Sequence, residues 1–168
     1  LLGVHERRAR AQDLLDSLPK ARDVQDAAAL KATLPVLAQA IDAEAFGQPG
    51  QRTFRLRIVG ASSESASMWM EKEQFQALSL AIGQVLSELR YAPPSQEPPF
   101  YEFPEIADHD FKVGRMAIGL DPADKTLVLY LSDVQDDDEE NPTLKARLTQ
   151  DLCAALRGQL EEIVSRGR

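Results

Sequence analysis

The stretch Gly47-Gln48-Pro49-Gly50-Gln51-Arg52-Thr53-Phe54-Arg55-Leu56 is a backbone reversal that feeds a strand. Two glycines around a proline set the turn. Phe54, Leu56 and Ile58 then alternate with Thr53, Arg55 and Arg57 at the period of two that marks a half-buried strand. Working outward, Gly60 to Glu64 reads as a second turn and Ser65 to Met70 as a second strand, with Ala66, Met68 and Met70 on one side and Ser65, Ser67 and Trp69 on the other. The period then changes. Phe75, Leu78, Ile82, Val85 and Leu89 form one helical stripe, and Glu71 and Glu73 sit in its first turn, where acids suit the positive end of the helix.

The pattern comes round again downstream. Phe111 to Leu120, the turn Asp121-Pro122-Ala123-Asp124, and Lys125 to Ser132 read as a hairpin. Apolar parity shifts from Phe111 and Val113 to Met116, Ile118 and Leu120 across Gly114, which predicts a bulge. Leu127 to Leu131 is apolar on both faces, as in a covered or central strand. Asn141 and Pro142 then announce a helix over 143–166, with Leu148, Leu152, Leu156, Leu160 and Ile163 as its stripe. Gly83-Gln84-Val85 and Gly158-Gln159-Leu160 occupy similar places in the two helices, which suggests a duplicated unit. Between the units, Pro93, Pro94, Pro98, Pro99 and Pro104 interleave with Tyr91, Phe100, Tyr101 and Phe103 in an extended crossover over 91–110.

Residues 1–45 read as helical. Leu14, Leu15 and Leu18 make a short patch, and Val24, Ala27, Leu30, Leu34, Leu37 and Ile41 recur at steps of three and four, with Pro19 and Pro35 as breaks. This segment either packs on the domain or offers a face to a partner or to a second copy. The expected fold is therefore α+β: a four-stranded antiparallel sheet from two ββα units at 46–168, with the helices at 71–90 and 143–166 on one face. The N-terminal helical segment 1–45 lies on the other face or at one end.

The 168 residues carry a formal charge of −8, split as +2 over residues 1–60 and −10 over 61–168. A phosphate-binding surface needs clustered cations, so nucleic acid and anionic membranes are not expected partners. No apolar run approaches the roughly 20 residues that span a bilayer. His5, Glu6, Arg7 and Arg8 close to the start do not form a signal peptide core, and the opening residue is Leu1, which fits a piece of a longer chain. One cysteine, Cys153, suits a reducing cytosol and reads as a small buried hydrophobe.

Catalytic inventory is thin. His5, His109 and Cys153 are too few for a tetrahedral zinc site. His109 between Asp108 and Asp110 could serve acid–base chemistry or simply sit in a solvated loop. The run Asp136-Asp-Asp-Glu-Glu140 lacks the glycine and distal glutamate of a calcium loop. The feature that invites binding is geometric: with Phe54, Leu56, Met68 and Met70 turned to the helices, Arg55, Arg57 and Trp69 share the opposite sheet face. Guanidinium groups beside an indole suit a carboxylate, a phosphate or a partner's aromatic side chain. The alternative is that the N-terminal helices cover that face, with Arg55 and Arg57 paired to acids from residues 1–45.

Gly47 to Leu56, Met70-Glu-Lys-Glu-Gln74 and Phe111-Lys-Val-Gly-Arg-Met116 with Leu120-Asp121 together resemble a bacterial family, domain of unknown function family 3090. The resemblance covers about residues 45–168 and implies no reaction. Members of that family continue into a Cys-x-x-Cys tail similar to a zinc knuckle. The present residues stop at Gly167-Arg168, so the resemblance places any zinc outside them, and no cofactor is expected within this chain.

The leading expectation is a cytoplasmic, non-catalytic binding or adaptor protein with a protein partner, its binding residues drawn from Arg52, Arg55, Arg57, Trp69, Glu71 and Lys72. The rival is an enzyme acting on a small phosphorylated or carboxylated metabolite, with the three arginines as anion clamps, Glu71 as acid or base and Lys72 nearby.

Overall fold

A computed structural model describes residues 36–93 and 101–166. The chain runs βββα twice: β1 (Val36–Phe46), β2 (Thr53–Gly60), β3 (Ser65–Met70), α1 (Lys72–Glu88), then β4 (His109–Asp121), β5 (Thr126–Asp133), β6 (Leu144–Leu148) and α2 (Gln150–Arg166). The six strands close into a barrel in sequence order. Within each half the neighbours are antiparallel. The halves meet in two short parallel seams, Ala66 to Trp69 beside His109 to Lys112, and Val36 and Leu37 beside Ala146 and Arg147.

This overturns the four-stranded antiparallel sheet. Two strands had looked like helix. In residues 36–45, Leu37 and Ile41 are four apart and alanines fill the gaps, a composition with high helix propensity. Pairing with β2 overrides it: Ile41 and Ala43 turn inward while Asp42 and Glu44 turn out, and Leu37 is 55% exposed. Residues 144–148 had merged with the last helix because Leu148 and Leu152 are also four apart. Instead Leu144, Ala146 and Leu148 alternate into the core, and α2 starts after Thr149, whose Oγ1 accepts the Leu152 N–H at 3.2 Å. Asn141 is therefore no helix cap; its N–H and amide donate to Asp138 in the preceding loop. Residues 1–35, the rest of the expected helical segment, lie outside the described residues.

The strands and turns around the opening stretch stand as read. Gly47 and Gly50 have φ of +97° and +88°, and a Cβ on Gly47 would come within 2.8 Å of the Gln51 carbonyl, so the turn needs glycine there. The predicted bulge in β4 is present as a register shift between Val113 and Arg115. β1 has the matching shift, between Ala38 and Ala40.

One core fills the barrel and its junction with the helices. Leu56, Ile58, Met68, Leu127, Leu129 and Leu131 from the strands meet Phe75, Leu78, Ile82, Leu156 and Leu160. Each fully buried side chain of this size contributes about 2 kcal/mol. The helices repeat at one interval: Phe75, Leu78, Ile82 and Val85 stand where Cys153, Leu156, Leu160 and Ile163 stand. Gly83-Gln84 and Gly158-Gln159 thus fall almost one turn out of step. Polar side chains lock helix to strand in both halves: Gln159 Oε1 accepts the Ala43 N–H at 2.9 Å, and Gln74 Nε2 donates to the Val113 carbonyl at 3.1 Å.

Candidate functional site

The outward side chains of β1 to β4 line up in two rows. Strand register sets Glu44, Arg55, Trp69 and Lys112 side by side, and Asp42, Arg57, Ser67 and Asp110 beneath them. Cross-strand neighbours on one face interact directly. Arg57 grips Asp42 with two hydrogen bonds, Nε to Oδ1 at 2.9 Å and Nη2 to Oδ2 at 2.5 Å, and also reaches Glu44 at 2.7 Å. Arg55 donates to Glu44 Oε2 at 3.2 and 2.5 Å. The Asp42 hydrogen bond, outweighing burial, raises the Arg57 pKa above its ordinary value.

Aromatic rings frame both guanidiniums. Arg55 lies 5.0 Å from the Phe46 ring and 5.1 Å from the Trp69 ring, and those rings are 6.2 Å apart. Arg57 lies 4.4 Å from Phe103, which the crossover delivers together with Tyr101. Contacts at these distances are cation–π interactions. The indole of Trp69 is fixed at its other end, where Nε1 donates to Asp110 at 2.8 Å. Phe46 remains 44% exposed and Tyr101 37%.

The structure brings Arg55, Arg57 and Trp69 together, and the acids that meet the arginines do come from residues 1–45. They sit on a strand, however. Glu71 borders the face through Lys112 at 2.9 Å and caps α1, its N–H donating to Gln74 Oε1 at 2.7 Å. Lys72 opens α1. Arg52 points elsewhere, to the carbonyls of Ile163 and Arg166 at 3.5 Å each, where a cation complements the negative end of α2. Phe46, Phe103, Asp42, Glu44 and Asp110 were missed. The alternation Ile41-Asp42-Ala43-Glu44-Ala45 was the signal for the acids, since a hairpin about the Gly47–Gly50 turn sets it opposite Arg55 and Arg57.

Other candidates have structural roles. His109 begins β4, and its flanking acids are engaged elsewhere, Asp108 with the Ser65 N–H at 2.9 Å and Asp110 with Trp69. Cys153 is fully buried, and that burial pushes its thiol up, away from the reactive thiolate. In the acidic run, Asp136 and Asp138 accept backbone N–H groups two residues on, so they build turns. Three clefts, of 490, 540 and 380 Å³, flank the helices at Leu80, Gly83, Tyr91, Arg157 and Asp151. None is lined by Arg52, Arg55, Arg57, Trp69, Glu71 or Lys72. No helix among the described residues is long and apolar enough to cross a membrane.

One family profile spans the barrel and both helices. This chain belongs to the family described as "Protein of unknown function (DUF3090)", whose profile matches residues 37–168. No curated protein matches it. The family match takes in all six strands and both helices. The stretches on which the resemblance rested here shape turns and helix ends: Gly47 and Gly50 form the hairpin turn, Arg52 meets α2, Glu71 and Gln74 cap α1, and Gly114 makes the bulge.

Proposed function

We propose that this chain is a non-catalytic binding module of the cytosol, and that Phe46, Arg55 and Trp69 on the outer face of β1 to β3 receive a partner protein. The observation that carries the reading is the saturation of both arginines. Arg55 and Arg57 already hold Glu44 and Asp42, so an incoming phosphate or carboxylate would have to displace a paired acid. That weakens the anion-clamp enzyme. A rigidly held cluster of half-buried Trp69 and Arg55 beside exposed Phe46 is instead the composition found at the energetic centres of protein interfaces. The single buried cysteine suits the reducing compartment.

The test is affinity capture from cell extract by the full chain, with retained proteins and metabolites identified by mass spectrometry. A protein partner should bind, and Arg55→Ala with Trp69→Ala should weaken it at least tenfold, given about 2 kcal/mol per interface anchor. Retention of a metabolite instead, or a partner indifferent to both substitutions, contradicts the reading.

A further inference from the structure

The outer face of β1 to β3 carries the chain's own crossover at one end and is open at the other. Ala40, Val59, Ser65 and Ser67 point away from the barrel interior, yet all four are buried. Residues 101–108 cross that end as a strap. The Tyr101 hydroxyl donates to Gln39 on β1 at 3.4 Å, the Phe103 ring lies 4.4 Å from the Arg57 guanidinium on β2, and Asp108 exchanges hydrogen bonds of 2.9 and 3.0 Å with Ser65 on β3. Two residues along each strand, the next row repeats the arginine without the strap. Arg55 has its own acid, Glu44, with Phe46 and Trp69 beside it, and Phe46 is exposed.

The occupied end shows what kind of chain this face takes. Pro104 keeps Phe103 out of helical conformation, so the ring is presented from extended backbone. The strap passes three strands without joining them as a strand, and what it places on Arg57 is an aromatic ring, held by cation–π attraction, not a carboxylate. Extended, proline-containing segments suit aromatic-lined surfaces in general, because such a chain loses little entropy on binding. Charge does not select at the open end, where Arg55 with Glu44 and Lys112 with Glu71 already cancel. Ring contact remains.

Resting on the reading of Phe46, Arg55 and Trp69 as the partner surface, we infer that the partner enters as an extended aromatic–proline segment laid alongside residues 101–108. One of its rings is set against Phe46 and Arg55 as Phe103 is set on Arg57. The strap is the chain's own copy of that ligand.

Trp69 is the single tryptophan of the chain, so its emission reports on this slot. The probe is a capped synthetic peptide with the sequence of residues 98–104, Pro-Pro-Phe-Tyr-Glu-Phe-Pro. Titrated into the full chain with excitation beyond the tyrosine band, it should change Trp69 emission saturably and displace the captured partner. Its affinity should fall at least tenfold when its three rings are replaced by alanine, and likewise for Phe46→Ala in the chain, whose fold is checked by circular dichroism. No saturable change, equal binding of the ring-free peptide, or binding seen only once Phe103→Ala vacates Arg57 would each overturn the inference. A partner weakened by Arg55→Ala with Trp69→Ala yet not displaced by the peptide leaves the surface standing and overturns the segment. A partner indifferent to both substitutions removes the surface and the segment together.

Discussion

The two halves of the barrel share their inner surfaces and differ on their outer ones. Inward, Phe54, Leu56 and Ile58 of β2 stand for Leu127, Leu129 and Leu131 of β5. Outward, β2 carries Arg55 and Arg57 in ion pairs under aromatic rings, whereas β5 carries Val128 and Tyr130, both buried. The inner pattern builds the fold and is needed twice. The outer pattern is free to specialise, so the first half offers a charged, aromatic surface and the second a sealed apolar one.

If the interiors are equivalent, removing a matched leucine should cost the same on either side. Leu56→Ala and Leu129→Ala, both at positions with no exposure, should each destabilise by about 2 to 5 kcal/mol in urea unfolding. A cost confined to one half would break the equivalence. The matched bulges should then differ. A Cβ on Gly114 would come within 2.8 Å of the Val134 Cα, so Gly114→Ala should cost about 1 to 3 kcal/mol. At the corresponding point of β1 stands exposed Gln39, where Gln39→Ala should stay within about 0.5 kcal/mol.

The outer faces separate further by salt and pH. Arg57→Ala should cost about 1 kcal/mol, less at high salt, because its pairs with Asp42 and Glu44 are only partly buried. Tyr130→Phe removes a hydroxyl that has no partner and should be near neutral at pH 7. Its signature lies at high pH. Burial raises the Tyr130 pKa from 10.0 to about 12, so the folded chain keeps a proton that the unfolded chain releases. The associated stability is complete below pH 10 and is lost as pH climbs toward 12. Tyr91, raised likewise, adds to the decline, and Tyr130→Phe should make it shallower. An identical alkaline decline in the variant would place Tyr130 in water.

Much of the interior was legible, because alternation in Phe54 to Ile58, the stripe from Phe75 to Val85 and the parity shift at Gly114 each record one periodic constraint. β1 and β6 were not legible. Their short apolar sets, Ile41 with Ala43 and Leu144 with Leu148, fit helical spacing as well as strand spacing, and only pairing with distant strands decides. Closure into a barrel could not be read for the same reason, since the seams join residues as far apart as Val36 and Ala146. At the site, Arg55, Arg57 and Trp69 were found together because one hairpin's register fixes them. Phe103 was recognised only as a crossover aromatic, since long-range folding brings it to Arg57.

The most direct measurement is a calorimetric titration of the captured partner against the wild-type chain, the Arg55→Ala/Trp69→Ala variant and Tyr130→Phe. Binding weakened at least tenfold in the first variant and unchanged in the second is the predicted result. Equal affinity across all three proteins, or a loss only in Tyr130→Phe, would contradict it.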